Sequence, residues 1–292
     1  NPGKQKSLKY YLQTHKTIPE KSFTHTALGE PPKSYPGSYC IEDGDLEEFF
    51  KVYTNSTFKH GIPAHLTERH RDMSPILIDL DFRHKPDFTG SSTSRKYNQK
   101  FIKDFLKRYL EIVDDLIEIP DEKKIAFVLE KETPVVPQGK NVVKDGIHVI
   151  FPYIVTIPKL QYIWRYKSIV DESIAEMIEP LNVTNTLEDI FDIAVIEKNN
   201  WQMYGSCKPN NQTYKLTKIY SFQNKNKKIE EVENTYSDGE LVRLLSIRNF
   251  DMKNVVNTEE VEDKLDAEFE MLPKKQQVKR QRKVKPKKSP LV

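Results

Sequence analysis

The chain has 292 residues, enough to bury a sizeable core as one large domain or two modest ones. A hydrophobic content of 37% with 14 Tyr and 14 Phe excludes a disordered chain, and no apolar run approaches the ~20 residues that span a bilayer. The net charge of +3 conceals a division, because nine Lys or Arg and no acid follow Pro273. Before that point 37 basic residues face 43 acidic ones, so affinity for polyanions is expected of the basic tail, not of the bulk.

The two cysteines, Cys40 and Cys207, make no CxxC pair, which indicates neither a disulfide framework nor a thiolate zinc site. A reducing, intracellular setting fits them. The first residue is Asn1 and no signal-peptide pattern follows it, so a segment of a longer protein is expected.

In chain order, the first forty residues read as irregular, broken by Pro31, Pro32 and Pro36. A short helix is predicted from Asp45 to Tyr53, capped by Asp43 or Asp45. The run SPILIDLDF reads as a buried strand. After the polar break GSSTS, apolar residues recur at helical spacing and predict one amphipathic helix over 95–117. KIAFVLE (124–130) and GIHVIFPYIV read as strands, and 159–178 as a second long helix. Residues 189–220 suggest two or three strands around turns at Asn199-Asn200 and Pro209-Asn210-Asn211. Asp238 is placed to cap a final short helix, ELVRLLSIR. Strands and helices mix without regular βαβ spacing, which points to an α+β fold.

Asp79 and Asp81 are two apart in a strand, so both carboxylates emerge on one face, with Cα atoms ~6.6 Å apart at ~3.3 Å per residue. Ile76, Ile78, Leu80 and Phe82 point the other way. Two like charges side by side are costly to bury unless a cation lies between them, and Mg2+ or Mn2+ is suited to that role. The plain alternative is a strand with one solvated face. In KDGIHVIFP, the residues Lys144, Gly146 and His148 share a face that offers a point charge, a bare backbone position and N–H donors to a phosphate. Asp192 lies in an apolar setting where a third metal ligand could sit, with Glu188, Asp189 and Glu197 as competitors. Ser206, Lys208 and Lys215 surround a turn and are weaker candidates for a triphosphate.

Three motifs in order, ILIDLDF, KDGIHV and FDIAV, followed by YGSCK, resemble the archaeo-eukaryotic primase superfamily, and more closely the primase half of helicase–primases of large nucleocytoplasmic DNA viruses. The resemblance covers roughly residues 35 to 250, and Gly146 stands where cellular relatives commonly have Ser. It implies a fold with an α/β unit and an RRM-like unit flanking a cleft. Asp79, Asp81 and Asp192 would bind the metals, and His148 with Lys144 would hold the triphosphate, with Ser206 and Lys208 as weaker candidates. It further implies primer synthesis on a single-stranded DNA template by attack of a 3′-hydroxyl on the α-phosphate of a nucleoside triphosphate. A fused superfamily 3 helicase on the C-terminal side, and a place in host cytoplasm or at a viral replication site, are implied too.

The chain is accordingly divided into an irregular segment 1–34, a catalytic domain 35–250, and an acidic then basic linker 251–292. A metal-dependent nuclease or other phosphoryl transferase could use the same acids, and a non-catalytic nucleic-acid-binding module that positions a helicase is a third reading. Arg83 and His84 read mainly as surface groups, and Trp201 and Tyr204 as core residues that could also stack on bases. His60, His65 and His70 lack the company a zinc site needs.

Overall fold

The computed structural model describes residues 7–18, 22–29, 35–86, 94–223 and 228–277. The basic tail beyond 277, Pro31-Pro32 and most of the GSSTS break lie outside the described residues.

Two antiparallel sheets organise the chain, which is α+β as its pattern implies. The larger has strand order β4-β6-β5-β8-β9, built from β4 (Ser74–His84), β5 (Ile125–Glu130), β6 (Val143–Thr156), β8 (Lys215–Gln223) and β9 (Lys228–Val232). The smaller has order β2-β1-β3-β7, from β1 (His25–Ala27), β2 (Gly37–Tyr39), β3 (Leu66–Glu68) and β7 (Trp201–Gln202).

Alternation along β4 decides what each face of the large sheet meets. Ile76, Ile78, Leu80 and Phe82 join Ile147, Val149 and Phe151 of β6 in a core covered by α3 (Gln99–Asp114). The buried stripe of α3 includes Phe101, Phe105, Leu106, Leu110 and Val113, and each such side chain stabilises the fold by roughly 1.5–3 kcal/mol. Asn98 starts this helix by accepting the Phe101 N–H at 3.0 Å. The predicted start at residue 95 is too early, because Arg95 is anchored on the sheet by Asp145 and Glu130 at 2.9 and 3.0 Å. The opposite face of the sheet carries Leu77, Phe127, Leu129 and Ile150, which pack against Trp201 and against Leu241 and Leu245.

The single helix expected over 159–178 is two, α4 (Pro158–Val170) and α5 (Glu172–Ile178). Asp171 breaks it by adopting an extended backbone, accepting the Ile174 N–H at 3.0 Å and Arg108 of α3 at 2.7 Å. Where strands were expected from residue 189, the chain instead makes α6 (Leu187–Ile190) and a 3-10 turn, Ile193–Val195, before short β7. Thr186 and Asp192 cap those turns with their own side chains, which competes with strand pairing. α7 (Asp238–Leu244) is capped by Ser237 in a box with Glu240, not by Asp238. α2 (Leu46–Thr54), by contrast, has no side-chain cap, and Asp43 is instead paired with Arg71.

The stretch expected to be irregular holds α1 (Leu8–Thr14) and β1, with Leu8, Tyr11 and Leu12 packed on Phe49, Phe50 and Tyr53 of α2. The segment after 250 is likewise not all linker. Its helix α8 (Glu262–Glu270) buries Leu265 and Phe269 in the main core beside α4. Among the described residues no helix is long and apolar enough to cross a membrane.

In the small unit His25 and Glu68 are fully buried, with Nε2 and Oε1 3.6 Å apart. Desolvation lowers the His25 pKa, and Glu68 only partly opposes it. The unfolded chain therefore takes up a proton near pH 6.5 that the folded chain resists. Stability is complete above that pH and falls as pH drops towards the folded value. Thermal melting at pH 7 and pH 5 should show this loss, and the His25→Gln protein should show a shallower slope between the two.

Candidate active site

Asp79 and Asp81 share the partly open face of β4. Antiparallel register sets His148 opposite Asp79, Gly146 opposite Asp81 and Lys144 opposite Arg83, so the acidic and basic rows predicted separately become neighbours. The His148 Nε2 is 3.5 Å from Asp79 Oδ2. Asp81 Oδ2 takes the Arg83 guanidinium at 3.0 Å, with Lys144 Nζ at 3.8 Å.

β4 is an edge strand of the sheet, and residues 184–192 run along its free edge. Thr184 N donates to Arg83 O at 2.7 Å, and Asn185 Nδ2 to Asp81 O at 2.7 Å. Leu80 pairs with Phe191, and Asp192 N donates to Asp79 O at 3.0 Å. Asp192 is thus tied by its backbone to the residue that carries the first acid. Burial raises its pKa, with Asp79 and Asp81 adding to the rise and the Ala194 N–H and Arg165 opposing it. The competing acids are engaged elsewhere: Glu188 pairs with Lys275 at 2.8 Å, Glu197 accepts the Tyr162 hydroxyl at 3.0 Å, and Asp189 is exposed in α6.

Other expectations are redirected. The His148 ring lies against Tyr214, centroids 3.6 Å apart and nearly parallel, with Trp201 at 4.8 Å on its other contact. The bare position at Gly146 is used by the protein itself, since a Cβ there would stand 2.9 Å from both Leu80 O and the Tyr214 hydroxyl oxygen. Ser206 is buried in the small unit, its Oγ 2.8 Å from the Tyr53 hydroxyl and accepting the Leu66 N–H, so its hydroxyl is not offered to a ligand. Gly205 before it has φ 85° against the Phe58 ring, which makes YGS a required turn. Lys208 is exposed, and Lys215 pairs with Glu132 at 3.4 Å. His65 Nδ1 contacts the Cys207 carbonyl at 2.6 Å, and Trp201 is a core residue.

Three groups escaped the sequence reading. Lys131, just beyond β5, lies 5.0 Å from the Tyr214 ring centroid, its pKa lowered by burial and by Lys208 while Asp79 and Asp81 act to raise it. Tyr214 is pushed well above its ordinary pKa by burial, and then by Asp79, Asp81 and Asp145. Arg165, buried on α4, donates to Phe191 O and Glu188 O at 2.7 Å each. Only Lys131 had a legible signal, since it continues the Leu129 face of β5 at period two.

The donor set of Asp79, Asp81 and Asp192 is all carboxylate oxygen, which fits a hard divalent ion such as Mg2+ or Mn2+. Among the described residues no three His, Cys, Asp or Glu side chains stand together closely enough to hold an ion as they are turned. Arg83 and Lys144 stand by Asp81 instead, and the His148 Nε2 faces Asp79.

Gly146→Ala should destabilise the fold by about 1–3 kcal/mol, because the Leu80 carbonyl cannot move aside as a side chain could. Urea denaturation checks this, and adding Tyr214→Phe should recover only part of the loss.

Against known proteins, residues 24–220 match the family described as the C962R protein N-terminal AEP domain, AEP denoting archaeo-eukaryotic primase. A protein of Acanthamoeba polyphaga mimivirus named as a helicase, L207/L206, is 35% identical over 188 residues. That alignment covers 64% of this chain and 18% of the mimivirus protein, so the chain spans under a fifth of that relative. The family match, two thirds of the chain, covers the DxD strand, the KDGIHV strand and the Asp192 segment together, and the chain belongs to the archaeo-eukaryotic primase family of the C962R N-terminal type.

Proposed function

We propose that this chain is the primer-synthesising nucleotidyltransferase unit of a viral helicase–primase, working with a single-stranded DNA template, a primer or initiating nucleotide, and nucleoside triphosphates. The observation that carries the reading is the attachment of the Asp192 backbone to that of Asp79, which brings a third acid close enough for Asp79 and Asp81 to raise its pKa, beside Arg83 and Lys144. A helicase domain beyond this chain is proposed from the name of the mimivirus relative.

The reaction forms a bond from a 3′-oxygen to an α-phosphorus, breaks the bond from that phosphorus to the bridging oxygen, and releases pyrophosphate. Asp79, Asp81 and Asp192 would hold Mg2+ or Mn2+, which when bound supplies positive charge for the attacking and leaving oxygens. Arg83 and Lys144 meet only Oδ2 of Asp81, so an ion would compete with Arg83 for that oxygen, and a displaced, partly exposed guanidinium would be free for a phosphate or the template backbone. Lys144 and Lys131 flank the acids and neutralise the incoming triphosphate, and exposed Lys208 extends that row outward. His148, clamped by Tyr214 and Trp201, presents a fixed imidazole edge to Asp79 and would offer an N–H to a triphosphate oxygen. Placement and electrostatic complementarity are the protein's whole contribution, as phosphoryl chemistry requires.

Asp79→Asn and Asp81→Asn keep size and remove charge. Each should lower nucleotide incorporation on a single-stranded template by about 100-fold or more, the scale for losing one electrostatic element of such a site. His148→Ala should act chiefly on nucleotide KM. Undiminished incorporation by Asp79→Asn would overturn the reading. Metal-dependent cleavage of labelled DNA without extension by the native protein would replace it with a nuclease.

A further inference from the structure

The C-terminal part of the described chain reaches the acid site through one buried cation. Arg165 lies on α4 with each guanidinium nitrogen donating one hydrogen bond: Nε to Phe191 O, Nη2 to Glu188 O and Nη1 to Gln276 Oε1. Two of those acceptors are backbone carbonyls of the segment that ends in Asp192. The third comes from Gln276, 111 residues after Arg165 and itself buried. Arg165 and Asp192 also line one small cavity with Asp79, of about 20 Å³, room for roughly one water.

The strap Pro273–Gln277 that carries Gln276 is fastened independently. Gln277 Nε2 donates to Phe269 O and Leu272 O at 3.1 and 2.8 Å, closing the end of α8. Lys275 pairs with Glu188, and α8 is docked on α4 by the Lys159–Asp266 and Lys167–Glu268 pairs. The strap therefore holds residue 188 by its side chain and, through Arg165, residues 188 and 191 by their carbonyls. All the Arg165 acceptors are neutral, so loss of one leaves an N–H of a buried cation without its partner and frees the guanidinium to turn.

We propose that Gln276 is a positioning residue for Asp192, acting through Arg165, so that the strap after α8 sets the metal affinity of the acid site from the C-terminal side of the domain. This rests on the reading of Asp79, Asp81 and Asp192 as metal ligands. Groups that orient a ligand from behind typically alter metal affinity 10–100-fold.

The test uses the full chain with Mn2+ as probe, measured by isothermal titration calorimetry, together with hydrogen exchange of the Asp192 amide. Gln276→Ala should weaken Mn2+ binding about 10-fold and accelerate exchange at Asp192, whose N–H is bonded to Asp79 O. Gln276→Glu keeps an acceptor oxygen and should restore both, while Met271→Ala, exposed on the same connection, should change neither. In Arg165→Gln the further change Gln276→Ala should add nothing, as expected of residues acting in one chain of contacts. Unchanged exchange in Gln276→Ala overturns the proposal. So does unchanged Mn2+ affinity where Asp79→Asn abolishes it. If Asp79→Asn leaves Mn2+ binding intact, the metal reading itself fails and this proposal falls with it.

Discussion

The open edge of β4 is the constraint from which the site follows. An edge strand presents a row of unpaired N–H and C=O groups that water, another chain or the protein's own backbone must satisfy. Here residues 184–192 do so, by the Thr184–Arg83 bond, the Asn185 amide on Asp81 O, the Leu80–Phe191 pairing and the Asp192–Asp79 bond. The segment that covers the edge is also the one that ties the Asp192 backbone to Asp79. Arg165 then pins the covering segment from behind, which ties its placement to the packing of α4 and α8.

Charge on the acid-bearing face is balanced locally. The apolar seam between the sheets, with Leu77, Leu129, Ile150 and Trp201, partly desolvates Asp79 and His148. Like charges in such a setting need compensation, and Arg83, Lys144 and Lys131 surround the acids accordingly. Every one of these groups also matches the chemistry of a metal–triphosphate complex. On the proposed reading, a nucleotide that engaged Arg83 and Lys144 would exchange their internal ion pairs for external ones.

Much of this was legible in the order of residues. Period-two alternation in ILIDLDF and KDGIHVIF identified two strands, their inner and outer faces, and the Asp79–Asp81 and Lys144–Gly146–His148 rows. The helical repeat of Phe101, Phe105 and Tyr109 identified α3. Local capping was harder to read. Asp171 splits a continuous apolar pattern into two helices, and Thr186 and Asp192 convert an apparent strand into short helical turns, because a side-chain acceptor outcompetes the pattern around it. Ser206 looked available in YGSCK and is spent on Tyr53 and Leu66, partners more than a hundred residues away.

What the sequence by itself determined is therefore the three adjoining strands β4, β6 and β5 of the larger sheet, the faces of β4 and β6 that bear charge, and the family to which their order belongs. Those properties depend on spacing within a few residues, which the backbone geometry of a strand or helix translates directly. Tertiary structure alone decided that His148 stands opposite Asp79, that Tyr214 fills the space over Gly146, and that Asp192 is the acid brought to the pair. It also decided that Arg165 and Gln276 stand behind Asp192. Register, edge covering and long-range hydrogen bonds are choices among partners distant in the chain, and no local pattern distinguishes the partner that is taken from those that are not.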